Sequence, residues 1–188
     1  GLIFGLNLGK ISDALSDYHG PAGRLKILKG IKNSFLIDDT YNSSPASAHL
    51  ALETLKALSK AHLETPSPSG RKVAILGDML ELGKYTIQAH QATGNFAGTF
   101  IDLLITVGSR AKFIAEAAGN QLLKENIFSF ETSTEAAKKV QELIKEVDLI
   151  LVKGSQGMRM EKIVEEIMVE PEKKREWLVR QSKKWLEK

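Results

Sequence analysis

Cysteine is absent from the 188 residues, which removes disulfides and thiolate-bound metals from consideration and suits a cytoplasmic protein. Long apolar runs are missing as well: no stretch reaches the ~18–20 residues that a membrane-spanning helix requires. Charge of one sign is scarce, the net value being only +3. Most of it sits at the end of the chain, where residues 171–188 carry seven Lys/Arg against three Glu. The body is therefore close to neutral, which sets aside a nucleic-acid-binding role for it. The four histidines, His19, His49, His62 and His90, lack metal-ligand spacing, and no Gly-x-Ser-x-Gly elbow presents a nucleophile. One segment imitates a phosphate-binding P-loop, "GDMLELGKY" (Gly77–Tyr85). Five residues separate its glycines instead of four, and Tyr85 follows Lys84 where a magnesium-binding Ser or Thr is needed. A triphosphate cradle of that kind is excluded from this chain.

What is present is an alternation. Hydrophobic residues make up 43% of the chain, ample for one α/β domain. The opening "GLIFGLNLGKISDALSDYHGPAGR" starts inside an apolar segment, forms a helix-like piece and reaches a Gly-Pro-Ala-Gly connector. It reads as the end of one domain followed by a linker. Beyond Arg24, "LKIL" and "SFLID" are short strands joined at Gly30. Ser44 and Pro45 then open a helix to about Ala61, with Ala48, Leu52, Leu55 and Leu58 on one face. "KVAILG", "DLLITVG", "NIFSF" and "DLILVKG" are further strands, and helical patterns follow each of them. Thr132 and Glu135 make a capping box for the stripe Ala136, Val140, Leu143, Ile144 and Val147. Met160, Ile163, Val164 and Ile167 stripe the helix after the last strand. Residues 171–188 read as a basic amphipathic helix carrying Trp177 and Trp185. Strands alternating with helices require crossovers, so the fold expected is a Rossmann-like open, mostly parallel sheet with helices on both faces.

Ligands of such sheets bind beyond the carboxyl ends of the strands. Four polar clusters fall there: Asp38-Asp39-Thr40-Tyr41-Asn42, Gly77-Asp78-Met79, Gly108-Ser109-Arg110 and Lys153-Gly154-Ser155. For the paired acids two readings stand side by side. As groups at the strand edge they reach water or a ligand, and an aspartate there accepts hydrogen bonds from ribose hydroxyls; alternatively they only end the strand and cap turns. Lys153 and Ser155 before a helix form an anion or carboxylate pocket, or else a solvated turn.

The segments "GRL" (Gly23–Leu25), "DDTYNSSPAS" (Asp38–Ser47), "ILGDMLELG" (Ile75–Gly83), His90, "VGSRAKFIAEAA" (Val107–Ala118) and "LVKGSQGMRMEKIV" (Leu151–Val164) resemble, in order and spacing, the C-terminal domain of the D-alanyl-D-alanine-adding Mur ligases. The resemblance covers about Gly23 to Met168. It implies residues 1–22 as the end of a central ATPase domain and linker, 23–170 as the C-terminal domain, and 171–188 as a basic helix outside the family pattern. It also implies an ATP-dependent ligase of the bacterial cytoplasm that joins D-Ala-D-Ala to UDP-MurNAc-tripeptide through an acyl phosphate. ATP and Mg2+ would be held mainly by the central domain, so the C-terminal domain alone would be folded but inactive. Carried onto this sequence, Arg24, Asp39 and Asn42 would bind ATP, while Lys153, Gly154 and Ser155 would face the incoming dipeptide. No metal ligand or catalytic residue falls in this segment under that reading, and its partners would be its own N-terminal and central domains.

There are departures from the pattern. "YNSSP" stands where the family usually has "YNANP", and "KGSQG" where it has "KGSRG", so Gln156 lacks a bidentate charge. The loop Leu63–Gly70 has no counterpart in the pattern. Two other readings stay open: a sister ligase with another acceptor, such as a folylpolyglutamate-forming enzyme, and a non-catalytic nucleotide-binding module whose tail docks a partner.

Overall fold

The computed structural model describes residues 2–16, 20–58 and 70–186. The short apolar runs become one six-stranded sheet: β1 (Lys26–Lys29), β2 (Phe35–Asp39), β3 (Lys72–Gly77), β4 (Leu103–Val107), β5 (Ile127–Phe130) and β6 (Leu149–Lys153). The order across the sheet is β1-β2-β6-β3-β4-β5. β1 is antiparallel to β2, as a hairpin through Gly30 must be, and every other pairing is parallel. The expected Rossmann-like, mostly parallel sheet is therefore present. β4 and β6 are buried along their whole length, which is why they read as unbroken apolar runs.

Side chains of a strand alternate between faces, and that alternation sorts the core into two. Leu36, Val73, Ile75, Ile150 and Val152 pack against α5 (Ser133–Leu143) and α6 (Glu161–Ile167). Ile37, Ala74, Leu76, Leu104 and Leu151 pack on the other face against α2 (Pro45–Leu58), α3 (Thr86–Gly98) and α4 (Lys112–Ala118). A further helix, α1 (Leu8–Ser16), precedes the sheet and buries none of its residues. No helix among the described residues is long and apolar enough to cross a membrane.

Two helical expectations are corrected. The stripe taken to run to Val147 stops at Leu143; Ile144 is extended, and Val147 has a φ of 55°. Cationic side chains end the helix by taking its last carbonyls: Lys32 donates to the oxygens of Gln141 and Ile144, and Arg71 to that of Leu143. Arg71 is itself held by the buried Asp148 at 2.8 Å. The basic tail is not one helix either. It forms a 3-10 turn (Pro171–Lys173), α7 (Lys174–Trp177) and α8 (Lys183–Leu186), the last two separated by an irregular stretch that buries Leu178 and Arg180. The helix gives way because Leu178 joins the core under α6, while Arg180, with φ 59°, turns inward. At the other end of α2, residues 59–61 lie outside the described residues.

α3 and α4 meet backbone to backbone at Gly94. A Cβ there would lie 2.2 Å from the carbonyl oxygen of Ile114 and 2.9 Å from its Cα. Gly94→Ala is expected to lower stability by about 1–3 kcal/mol, since main chain and not a flexible side chain must yield. An unchanged midpoint in urea unfolding would show that the two helices separate freely.

Candidate functional site

In an open α/β sheet the crevice opens where neighbouring strands send their connections to opposite faces. β6 leads to α6 on one face, whereas its neighbours β2 and β3 lead to α2 and α3 on the other. The carboxyl end of β6 is thus flanked by two crevices, and the residues singled out in the sequence divide between them.

The crevice between β2 and β6 holds a cavity of about 400 Å3, lined by Gly23, Arg24, Asp39, Tyr41, Asn42 and Lys153 together with the first turn of α2. Asp39 and Lys153 stand opposite each other in the parallel ladder. The Asp39 Oδ2 accepts a hydrogen bond from Lys153 Nζ at 2.5 Å, and its Oδ1 accepts one from the Leu25 N–H at 3.2 Å. Lys153 also donates to the Asn42 carbonyl at 2.9 Å. Above them the Arg24 guanidinium lies 4.2 Å from the centre of the exposed Tyr41 ring. Gly23 brings the "GRL" turn against this wall, its carbonyl accepting from the Tyr41 N–H at 2.9 Å. A Cβ on Gly23, whose φ is 68°, would sit 2.9 Å from that nitrogen. Ser44 caps α2 by accepting from the Ser47 N–H, as expected. The cavity therefore sets a carboxylate, a guanidinium, an ammonium and an aromatic face around one space. That combination suits a polyhydroxylated ligand with a flat ring: acceptor and donors for hydroxyls, and an aromatic surface for stacking.

The two adjacent acids meet different fates because they point to opposite faces. Asp39 shares the α2 face with Ile37 and opens to the cavity. Asp38 shares the α6 face with Leu36 and is fully buried. This corrects the reading of both as edge groups in reach of water. Burial pushes the Asp38 carboxyl up to about 6, against two hydrogen bonds from Thr40 that pull it down; the neighbouring Asp39 charge adds to the rise. Its Oδ1 accepts from the Thr40 hydroxyl at 2.6 Å, and its Oδ2 is buried without a hydrogen-bond partner among the described residues.

The crevice between β6 and β3 is closed by packing. Gly154 lies against Met160 and Gly77, where a Cβ would come within 2.7 Å of the methionine Cγ. Ser155 is buried; its hydroxyl accepts from the Leu80 N–H at 2.8 Å and donates to the Ser43 carbonyl at 3.3 Å, lacing three loops together. Asp78, also buried, accepts from the N–H groups of Arg110 and Ala111 through Oδ1. His90 holds the same corner: its Nε2 accepts from the Met79 N–H at 3.0 Å while Nδ1 lies 2.7 Å from the Thr86 carbonyl. Of the residues assigned to the dipeptide side, Lys153 thus joins Arg24 and Asp39, whereas Gly154 and Ser155 face the interior. His49 is exposed on α2, and His19 and His62 lie outside the described residues. One residue beneath the cavity was not singled out at all. Arg180 bonds the carbonyls of Thr40 and Tyr41 and pairs with Glu161, which the sequence offered only as the end of the "GMRME" motif, and nothing short of the fold brings them together.

Comparison with known proteins agrees with this fold. The family model for the Mur ligase, glutamate ligase domain matches residues 23–156. The UDP-N-acetylmuramoyl-tripeptide–D-alanyl-D-alanine ligase of Bacillus subtilis is 31% identical over 172 residues, covering 91% of this chain and 36% of that protein. A crystal structure of MurF from Acinetobacter baumannii superposes with a TM-score of 0.67 at 29% identity, over 87% of this chain and 34% of the other. MurF ligase from Thermotoga maritima, solved in complex with ADP, gives a TM-score of 0.63 at 25% identity, over 85% and 34%. The chain spans about a third of the length of these relatives. From the match over most of its described core and the shared topology, the chain belongs to the Mur ligase family and carries its glutamate ligase domain.

Proposed function

We propose that this chain is the domain that closes over the nucleotide in an ATP-dependent ligase joining D-Ala-D-Ala to UDP-MurNAc-tripeptide in the bacterial cytoplasm. The observation that carries the reading is the β2/β6 cavity, whose walls come from the segments that resemble the ligase family. Arg24 and Asp39 are the ribose contacts: the guanidinium donates to hydroxyls, and the carboxylate keeps acceptor capacity beside its bonds to Lys153 and Leu25. Asn42 stands next to them with its side chain on the exposed rim. Lys153 serves this same cavity by holding Asp39 in place. Bound ATP supplies the phosphoryl group that activates the tripeptide's terminal carboxylate for attack by the dipeptide amine.

Magnesium is another matter. Among the described residues no three His, Cys, Asp or Glu side chains cluster as a metal site, so no residue here is assigned to it. In this reading residues 1–22 belong to the end of a central ATPase domain and its linker, and 23–170 to the closing domain. UDP-MurNAc-tripeptide, D-Ala-D-Ala and the N-terminal and central domains are then the partners.

The test is release of ADP in the presence of ATP, UDP-MurNAc-tripeptide and D-Ala-D-Ala. Turnover is expected from the protein that joins this chain to its ATPase domain, and none from the 188 residues alone, which lack a P-loop. Turnover with a different amino-acid acceptor, and none with D-Ala-D-Ala, would replace the reading with that of a sister ligase.

A further inference from the structure

The basic tail remains without a role, although it supplies the most heavily bonded side chain near the cavity. Arg180 is buried, and its guanidinium makes contacts on both sides of the β2/β6 crevice. On the β2 side it donates to the Thr40 carbonyl at 2.5 Å and to that of Tyr41 at 3.1 Å. On the β6 side it donates to Glu161 Oε2, at 3.0 Å from Nε and 2.6 Å from Nη2. Glu161 is the first residue of α6, the helix that follows the Lys153 loop, and it is itself buried. Its second oxygen accepts from Arg159 Nε at 2.6 Å, and Arg159 donates in turn to the Trp185 carbonyl at 2.8 Å. The tail is thus pinned on both sides of Arg180, by Leu178 in the core and by Trp185 on Arg159. Between them Val179 lies against Gly23, the residue that carries Arg24.

We propose that the tail is a strap that sets the width of the nucleotide crevice, with Arg180 as its positioning residue. The proposal rests on the nucleotide reading given above. Lys153 links the same two walls from inside the cavity, through Asp39 and the Asn42 carbonyl. Arg180 links them from beneath, through the carbonyls that immediately follow Asp39. A planar guanidinium with fixed donor directions holds two carbonyls and a carboxylate in one geometry, which an ammonium cannot reproduce. Arg180 lies beyond the residues that match the family model and beyond the segments that resemble the ligases, whereas its partner Glu161 ends the "GMRME" segment of that resemblance.

The ligase reaction of the protein that carries this chain separates positioning from stability. Arg180→Lys keeps a cation for Glu161 but loses the fork. It is expected to raise the KM for ATP about tenfold while kcat stays within about twofold, because the carbonyls of Thr40 and Tyr41 no longer fix the ribose wall. Arg180→Ala is expected to raise the KM further and to lower the thermal midpoint. If the alanine variant does not fold, the lysine variant decides. An unchanged KM for ATP in Arg180→Lys, with the wild type active, overturns the strap and leaves the nucleotide reading intact. A fall in kcat at constant KM overturns it equally. A wild type that turns over without using ATP sinks the nucleotide reading itself, and the strap with it.

Discussion

Replacing Asp39 by alanine is expected to destabilise the fold by about 3–5 kcal/mol and to raise the KM for ATP by roughly 10–100-fold. The first effect follows from Lys153, whose side chain is only 2% exposed and which, among the described residues, has Asp39 at 2.5 Å as its one carboxylate partner. Removing the carboxylate strands a buried ammonium with the Asn42 carbonyl as its remaining hydrogen-bond acceptor among the described residues. The second effect follows from the loss of an acceptor facing the cavity, and from the freedom gained by the Leu25 N–H that Asp39 also holds. The double variant Asp39→Ala/Lys153→Met tells them apart. With both members of this ion pair removed, stability measured by urea unfolding should return most of the way, whereas the KM for ATP should stay high. If the double variant regained tight ATP use, Asp39 would be a structural counter-ion and not a ribose contact.

This pair also shows why a lysine after a strand is hard to interpret from sequence. Lys153 looked like a cation awaiting a ligand carboxylate, but its partner lies 114 residues earlier in the same chain. The strand order that makes β6 the neighbour of β2 is what joins them, and no local pattern encodes it. The strands themselves were legible because each is a short apolar run closed by glycine or a polar residue, and α2 because Ser44 and Pro45 announce its start. The end of α5 was not legible. It depends on Lys32 and Arg71 reaching the last carbonyls from distant parts of the chain, while the apolar spacing continues past the true stop. The tail misled for a related reason. Trp177, Leu178 and Trp185 have spacing compatible with a helix, yet Arg180 turns inward with a positive φ to pair with the buried Glu161, and the helix is interrupted there. Long-range ionic contacts, and not propensity, decide the parts that sequence alone left open.

The stability of the fold is expected to fall as pH rises from about 4 to 6, through one buried acid. Asp38 is pushed from an ordinary 3.8 to about 6 by burial. Between those values the native state holds a proton that the unfolded chain has released, so unfolding becomes easier as pH climbs. The benefit is fully present below 3.8 and is lost once the pH passes 6, a total of about 3 kcal/mol from this group. Asp38→Asn should erase that contribution, because an amide at the same place stays neutral throughout and still accepts from Thr40. Plotted against pH, the stability difference between variant and wild type should be small near pH 4 and grow in favour of the variant by about 3 kcal/mol above pH 6. A difference that stays constant from pH 4 to 7 would mean that Asp38 is ionised in the native state throughout. Asp39, one residue away but on the opposite face, makes the comparison sharper. The Asp38→Asn variant leaves the cavity carboxylate and its bond to Lys153 in place, so the KM for ATP should change far less than in Asp39→Ala.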